Sequence, residues 1–299
     1  MTFADRAPAL LLCLAMLAGC TAAADTPTPI VATLWTPAAI SGPGYESSPT
    51  FAPDGQTMVY LAADKDFRNY RLMQSRCENG VWDKPVPPSF AMPLPAIEAD
   101  PFITPDGQRL YYISSRHAPA KEDFDIWYVE RTIDGGWGEP QRLPAPVNSP
   151  AAELLPRTDV DGRLYFGSSR EGSAGGGDIY VATEARPGEW TVANLGPPVS
   201  GGGYEYEAEI SRDGKTMITV SDRGDRSHLY RYRHEGDRWV EVGRIPADPA
   251  QFQVGPLLSP KGDRLIFAQR HGDRSGEMFL IDLTPDPDRS WPPTCQAAS

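Results

Sequence analysis

The chain has 299 residues, 28 of them Gly and 31 Pro, and carries 40 Asp and Glu against 28 Lys and Arg, a formal charge of −12. The length is ample for a packed core, and 40% apolar residues exclude a disordered chain. The acidic balance counts against nucleic acid and against docking on anionic lipid by charge, while the Gly and Pro load points to many tight turns and an all-β fold.

At the N-terminus, Arg6 precedes the apolar run PALLLCLAMLAG at residues 8–19, the layout of a secretory signal peptide and too short to span a bilayer stably. The run ends in Leu17-Ala18-Gly19-Cys20, which resembles the bacterial lipobox. The resemblance implies a signal over residues 1–19 and a mature chain that begins at Cys20 and is anchored by several acyl chains. An ordinary cleavable signal with an incidental cysteine is the alternative. Thr21, where Asp would favour the inner membrane, implies an outer-membrane protein facing the periplasm. Residues 20–30 are small and Pro-rich and read as a flexible tether, followed by a single domain over residues 31–299. No later apolar stretch approaches transmembrane length, so contact with the membrane is expected through the N-terminal lipid only. Of the four cysteines, Cys13 leaves with the signal and Cys20 takes lipid. Cys77 and Cys295 remain, in an oxidising compartment where they can pair.

One pattern then recurs five times: ESSPTFAPDG from Glu46, EADPFITPDG from Glu98, ELLPRTDVDG from Glu153, EYEAEISRDG from Glu205 and QVGPLLSPKG from Gln253. The residue before the last Gly falls at 54, 106, 161, 213 and 261, a period of 48–55 residues. Each string ends in a turn of Pro-Asp-Gly type. A β-branched and aromatic strand follows (TMVYLA, RLYYISS, RLYFGSS, TMITVS, RLIFAQ), then a third (YRLMQS, DIWYVE, DIYVAT, HLYRYR, MFLIDL). A fourth is expected to begin at Trp82, Trp137, Trp190 and Trp239. Four short antiparallel strands per unit describe a propeller blade. The fifth unit has two candidates for its Trp-led strand, Trp291 and Trp35. The register of Trp35 ahead of Glu46 predicts that residues 31–40 pair with the last unit and close the ring, removing an open edge. A chain tail crossing that seam would bring Cys77 and Cys295 within disulfide reach.

The chain here resembles the TolB-type, WD-repeat-like β-propeller family. The resemblance is carried by the E-x-x-P-x-x-x-P-D-G hairpin, by RLYFGSSR at 163–170, GGDIYVA at 176–182 and GEW at 188–190, and it covers about residues 31–292. The TolB propeller has six blades and a further N-terminal domain. This chain has five units, so five blades are expected, with six as the alternative.

Candidate site residues come from the repeat. Glu46, Glu98, Glu153 and Glu205 share one position, and Arg116, Arg170, Arg223 and Arg270 recur across each hairpin. They read either as a cross-strand ion pair holding each blade or as a ring of charges that binds a ligand at the channel mouth. Gln253 replaces Glu in the fifth unit, and Asp64-Lys65 stands where the first unit's Arg is expected. Paired carboxylates admit a glycosidase reading. The turn differs from the sialidase Asp box, because its Asp and Gly are adjacent. There is no G-x-S-x-G elbow for a serine hydrolase. His117, His228, His234 and His271 lack zinc spacing, and Asp123, Asp125, Asp286 and Asp288 read as solvated turn residues rather than a calcium loop. No metal and no cofactor is expected. The glycine runs 175–177 and 201–203 precede strands, not helices, which argues against phosphate loops. The repeated Trp residues are expected to pack between blades. The resulting expectation is a lipid-anchored periplasmic propeller that binds an envelope protein or peptide and is not an enzyme. A periplasmic glycan hydrolase using channel carboxylates is the alternative, and a purely structural envelope component is a third class.

Overall fold

A computed structural model describes residues 31–119, 121 and 123–295, and among these the chain is all strand and loop with no helix. The expected signal segment, Cys20 and the tether lie outside the described residues. In chain order the strands are β1 (Thr33–Leu34), then unit one with β2 (Tyr45–Phe51), β3 (Thr57–Ala63), β4 (Arg71–Glu78) and β5 (Val81–Trp82). Unit two has β6 (Glu98–Ile103), β7 (Arg109–Ser114), β8 (Asp125–Glu130) and β9 (Gln141–Arg142). Unit three has β10 (Glu153–Thr158), β11 (Leu164–Ser168), β12 (Asp178–Arg186) and β13 (Glu189–Asn194). Unit four has β14 (Tyr204–Ile210), β15 (Thr216–Asp222), β16 (Ser227–Glu235) and β17 (Arg238–Arg244). Unit five has β18 (Val254–Leu258), β19 (Arg264–His271) and β20 (Arg274–Asp282).

Within each unit consecutive strands pair antiparallel. The turn chemistry explains the first hairpin. Its Gly lies at a φ of 67–78° in every unit, and Asp54, Asp106 and Asp213 each accept the N–H two residues on. The outer edge of β20 takes β1 as its partner, Thr33 opposite Leu280 and Leu34 opposite Phe279. The Trp35 N–H then donates to the Met278 carbonyl at 2.8 Å. Trp291, the other candidate, lies in a loop. The first strands contact one another in the order β2, β6, β10, β14, β18, and β18 contacts β2. Units five and one also meet at a single parallel bridge, Tyr45 with Gly276.

Fourth strands do not all begin at their Trp. In unit two, Trp137 only bridges Arg131, and the strand proper is β9 at Gln141–Arg142. Trp82 and Trp190 are buried, whereas Trp137 and Trp239 are half-buried. At the junction of units five and one, Met58, Ile266, Met278 and Cys295 form a separate core cluster, against which Trp35 and Trp291 pack. Both Trp rings meet Phe51 edge-on. Cys77 and Cys295 are joined there by a disulfide, with Cα atoms 5.2 Å apart.

Candidate binding site

The four repeated glutamates are buried, and each is engaged by its own unit. Every one accepts a backbone N–H from the loop that enters its unit: Gly42 for Glu46, Met92 for Glu98, Ser149 for Glu153 and Gly201 for Glu205. Those N–H groups would otherwise be orphaned where the chain turns inward. In units two, three and four the Ser at the end of the second strand adds a hydroxyl, from Ser114, Ser168 and Ser221. Gln253 of unit five does the complementary job, its amide donating to the Asp248 and Gln251 carbonyls.

The expected arginine partner is present in two units only. Arg116 reaches Glu98 at 2.5 Å and Arg170 reaches Glu153 at 2.9 Å, and both also bind carbonyls of the incoming loop. In unit four Arg223 turns instead to Glu241 on the long β17, at 3.1 Å, and lies over the Tyr230 ring. A seven-residue fourth strand offers it a carboxylate that the two-residue β9 does not. Among the described residues Arg270 makes no such pair. Val254 is opposite Ala268, so the slot two residues past the hairpin partner falls at His271; β19 bulges between Gln269 and His271, and Arg270, one residue short, is exposed and donates to the Gly272 carbonyl. In unit one Asp64 holds that slot. Its carboxylate accepts from the Asp66 and Arg68 N–H groups and from the Asn69 amide, building a tight loop that lifts Phe67 outward.

The groups that converge from different units lie two residues further along the first strands. Each of these strands carries a bulge. In four of them the bulged residue has positive φ: Ser48, Asp100, Leu155 and Gly255. The corresponding residue of unit four is Glu207. Asp100 accepts from the Ser48 hydroxyl at 3.1 Å on one oxygen and from the Leu155 N–H at 3.2 Å on the other, tying units one, two and three together. Glu207 accepts the Gly255 N–H at 2.7 Å. Arg157 has no exposed surface and bonds Glu209 at 2.7 Å, Glu209 in turn accepting the Leu258 N–H. Burial pushes Asp100 and Glu207 above the usual carboxylate range, the Asp100 charge adding to it for Glu207 and the Arg157 guanidinium pulling both the other way. Burial also pushes Glu209 up to about 7, with the Arg157 guanidinium pulling the other way. These residues were missed in the repeat. Their signal is departure from it: Asp100 and Glu207 stand where other units carry Ser, Leu or Gly.

Above them opens a cavity of about 540 Å³. Tyr45, Phe67 and Tyr70 line it from unit one, with Phe67 edge-on to both tyrosines at 4.5 and 4.9 Å. Tyr204 and Tyr206 line it from β14, and Phe124 and Phe252 from the segments ahead of β8 and β18. Asp100, Glu207 and the hydroxyls of Ser47, Ser48, Ser227 and Ser275 supply its polar atoms. Phe67 and Tyr204 keep 43% and 40% of their surface exposed at the rim. The glycine runs explain the placing of Tyr204. Gly176 donates to the Gly203 carbonyl, and a Cβ on Gly177 would come within 2.8 Å of the Tyr204 ring. A second, smaller cavity of about 120 Å³ lies at the other ends of the same five strands and includes Glu209 and Trp291. Among the described residues no cluster of three or more His, Cys, Asp or Glu is arranged to hold a metal. Asp125 is held by His117 and Arg142, and Asp288 by Lys261.

No protein-family model and no curated protein sequence matches the chain. Solved structures resemble it in fold. A putative TolB from Agrobacterium tumefaciens is 20% identical over 82% of this chain and 79% of its own, with a TM-score of 0.54. TolB from Acinetobacter baumannii is 17% identical with a TM-score of 0.54, over 85% of this chain but 63% of its own, so this chain spans less than two thirds of that protein. Zg3597, a family 117 glycoside hydrolase produced by Zobellia galactanivorans, is 12% identical over 87% of this chain and 92% of its own, with a TM-score of 0.57. The likeness is one of architecture: an all-β, TolB-like propeller fold of four-stranded antiparallel sheets.

Proposed function

We propose that the chain is a five-bladed propeller, its last blade completed by β1, that holds a protein or peptide partner at the cell envelope and is not an enzyme. The reading rests on the aromatic cavity at the leading ends of the first strands. Ligands favour concave apolar sites with a few convergent polar groups, and a volume of about 540 Å³ admits a side chain or short peptide run. The rim rings of Phe67 and Tyr204 would extend the contact outward. In this reading Glu46, Glu98, Glu153, Glu205, Arg116 and Arg170 hold loops, and Arg223 and Arg270 face outward from the blades. The lipid at Cys20, the tether and the outer-membrane, periplasm-facing location rest on residues 17–30 of the sequence.

A photo-crosslinking residue at Phe67 should capture one discrete envelope protein or peptide. The same group at Val160, exposed on a turn at the other ends of the strands, should not. Equal capture from both sites, or none from Phe67, would overturn the reading. For the anchor, Cys20→Ser should remove the protein from the membrane fraction or leave it as an uncleaved precursor. An unchanged mature mass and detergent partition would refute it.

Glycan hydrolysis is a second reading, favoured by the raised Glu207 carboxyl beside Asp100 and by the fold likeness to a glycoside hydrolase. Against it, both Asp100 oxygens are already occupied by Ser48 and Leu155. Release of reducing sugar that Glu207→Gln abolishes would reverse the order of the two readings.

A further inference from the structure

Resting on that binding reading, we infer that the cavity takes a basic side chain, a lysine or arginine of the partner peptide. The walls are aromatic and aliphatic, while the polar atoms at the base are carboxyl and hydroxyl oxygens. Among the described residues no Lys, Arg or His lines the cavity. The guanidinium beneath it, on Arg157, is fully buried and bonds Glu209 and the Pro156 carbonyl; its charge partly offsets the burial of Asp100 and Glu207, yet it donates no hydrogen bond to either. One oxygen of Glu207 is taken by Gly255, and Glu207 keeps 8% of its surface where it lines the cavity. The buried Ser275 hydroxyl on the same wall has no hydrogen-bond partner among the described residues.

A second observation is independent of the acids. Nine aromatic rings elsewhere among the described residues are covered by arginine. Arg109 lies over Tyr111 and Tyr128, Arg116 over Tyr112 and Trp127, and Arg170 over Phe166 and Tyr180. Among the described residues, none of the rings of Tyr45, Phe67, Phe124, Tyr204, Tyr206 and Phe252 carries one. Ring faces attract a cation most when it is desolvated between them. A lysine or arginine stem would lie along Leu61, Ile113 and Leu154, and its charged head would reach Glu207 and Asp100. The entering charge would also favour ionisation of both carboxyls, which burial disfavours. A neutral apolar side chain would cover those oxygens without supplying a donor, and an acidic one would add a further carboxylate to a site where burial already penalises negative charge.

The test uses purified full-length protein in detergent and four acetylated, amidated peptides Gly-Gly-X-Gly-Gly, with X as lysine, arginine, norleucine or glutamate. Calorimetry should show the lysine or arginine peptide binding at least tenfold tighter than norleucine, with no detectable binding of glutamate. Glu207→Gln keeps an acceptor for the Gly255 N–H and should abolish that preference. Tyr204→Leu at the exposed rim should weaken the basic peptides at least threefold at unchanged Tm. Norleucine binding as well as lysine, or a preference that survives Glu207→Gln, would overturn the inference and leave peptide binding standing. If Phe67 crosslinks a partner but none of the four peptides binds, the basic-side-chain inference fails alone. If the Phe67 crosslink also fails, the binding reading fails with it.

Discussion

One glutamate, repeated, has unequal worth because its neighbours differ. Glu153 is fully buried and holds Arg170, the Ser149 N–H and two hydroxyls. Glu153→Ala leaves a guanidinium and a loop N–H without their acceptor, so urea unfolding should show a loss of about 3–5 kcal/mol. The Arg223–Glu241 pair is about a third exposed on both sides, so Arg223→Ala should cost no more than about 1 kcal/mol. Arg270→Ala, on an outward face, should stay within about 0.5 kcal/mol. Equal losses for all three would mean that the arginines act alike, contrary to the register. Glu46 and Glu209 make a pH prediction. Burial pushes both up to about 7, and Glu277 nearby adds to it for Glu46. Their native pKa values exceed the unfolded ones, so the native state binds the extra protons. Their contribution is whole below about pH 4.5 and is lost as pH rises through 7, at about 1.4 kcal/mol per pKa unit for each group. Tm should therefore fall from pH 5 to pH 8, and Glu46→Gln should flatten that slope. The Thr104 hydroxyl and the Gln108 N–H hold Asp106 below the usual range, and its loss comes only in more acid solution, outside this window. A Tm that rises from pH 5 to pH 8 would contradict the assignment.

At the scale of the strand, the bulge in each first strand makes the site. It turns Asp100 and Glu207 toward neighbouring units and lets Gly255 approach β2. A Cβ on Gly255 would lie 2.8 Å from the Ser48 N and Oγ, at a φ of 61°. Gly255→Ala should therefore lower stability by about 1–3 kcal/mol in thermal unfolding. Gly201→Ala, with nothing within 4 Å and no positive φ, should be near neutral. If the two match, β18 does not depend on that close approach. The repeat made the hairpins legible, because Pro-Asp-Gly turns and β-branched strands are local chemistry. It also made the β1–β20 partnership legible, through the spacing of Trp35 from Glu46. What it concealed depends on one-residue register. Counting from the turn brought Arg270 near Gln253 but could not say which face it occupied. The departures Asp100, Glu207 and Asp64 carried more of the site than the conserved-looking glutamates, since repetition marks what each unit needs for itself. Convergence of different units is visible only once the bulges are seen.

At the scale of the molecule, the proposed ring has one seam, between units five and one, and several devices cross it. β1 pairs with β20, Tyr45 bridges Gly276, β18 approaches Ser48, a core cluster of Met58, Ile266 and Met278 spans it, and the Cys77–Cys295 bond links positions 218 residues apart. The other junctions join units that follow one another along the chain, so loop closure there costs little. At the seam the ends of nearly the whole domain must meet, which is where a covalent link constrains the unfolded chain most. Cys77→Ala and Cys295→Ala should each cost about 2–5 kcal/mol, and the double variant should cost no more than the worse single, because either change removes the same bond. Dithiothreitol should shift the melting of the unsubstituted protein by a similar amount and leave Cys77→Ala unmoved. Removing residues 31–36 strips β1 and exposes the β20 edge, which should lower Tm and promote association between molecules. With the bond intact, such a variant should still unfold in one transition, since unit five remains tethered to unit one. With Cys77→Ala added, the strand and the covalent link are both gone, and unit five should melt before the rest. A single sharp transition in the combined variant would show that the packing of β18 and β20 on unit one suffices to hold the seam, and would reduce β1 and the disulfide to accessories.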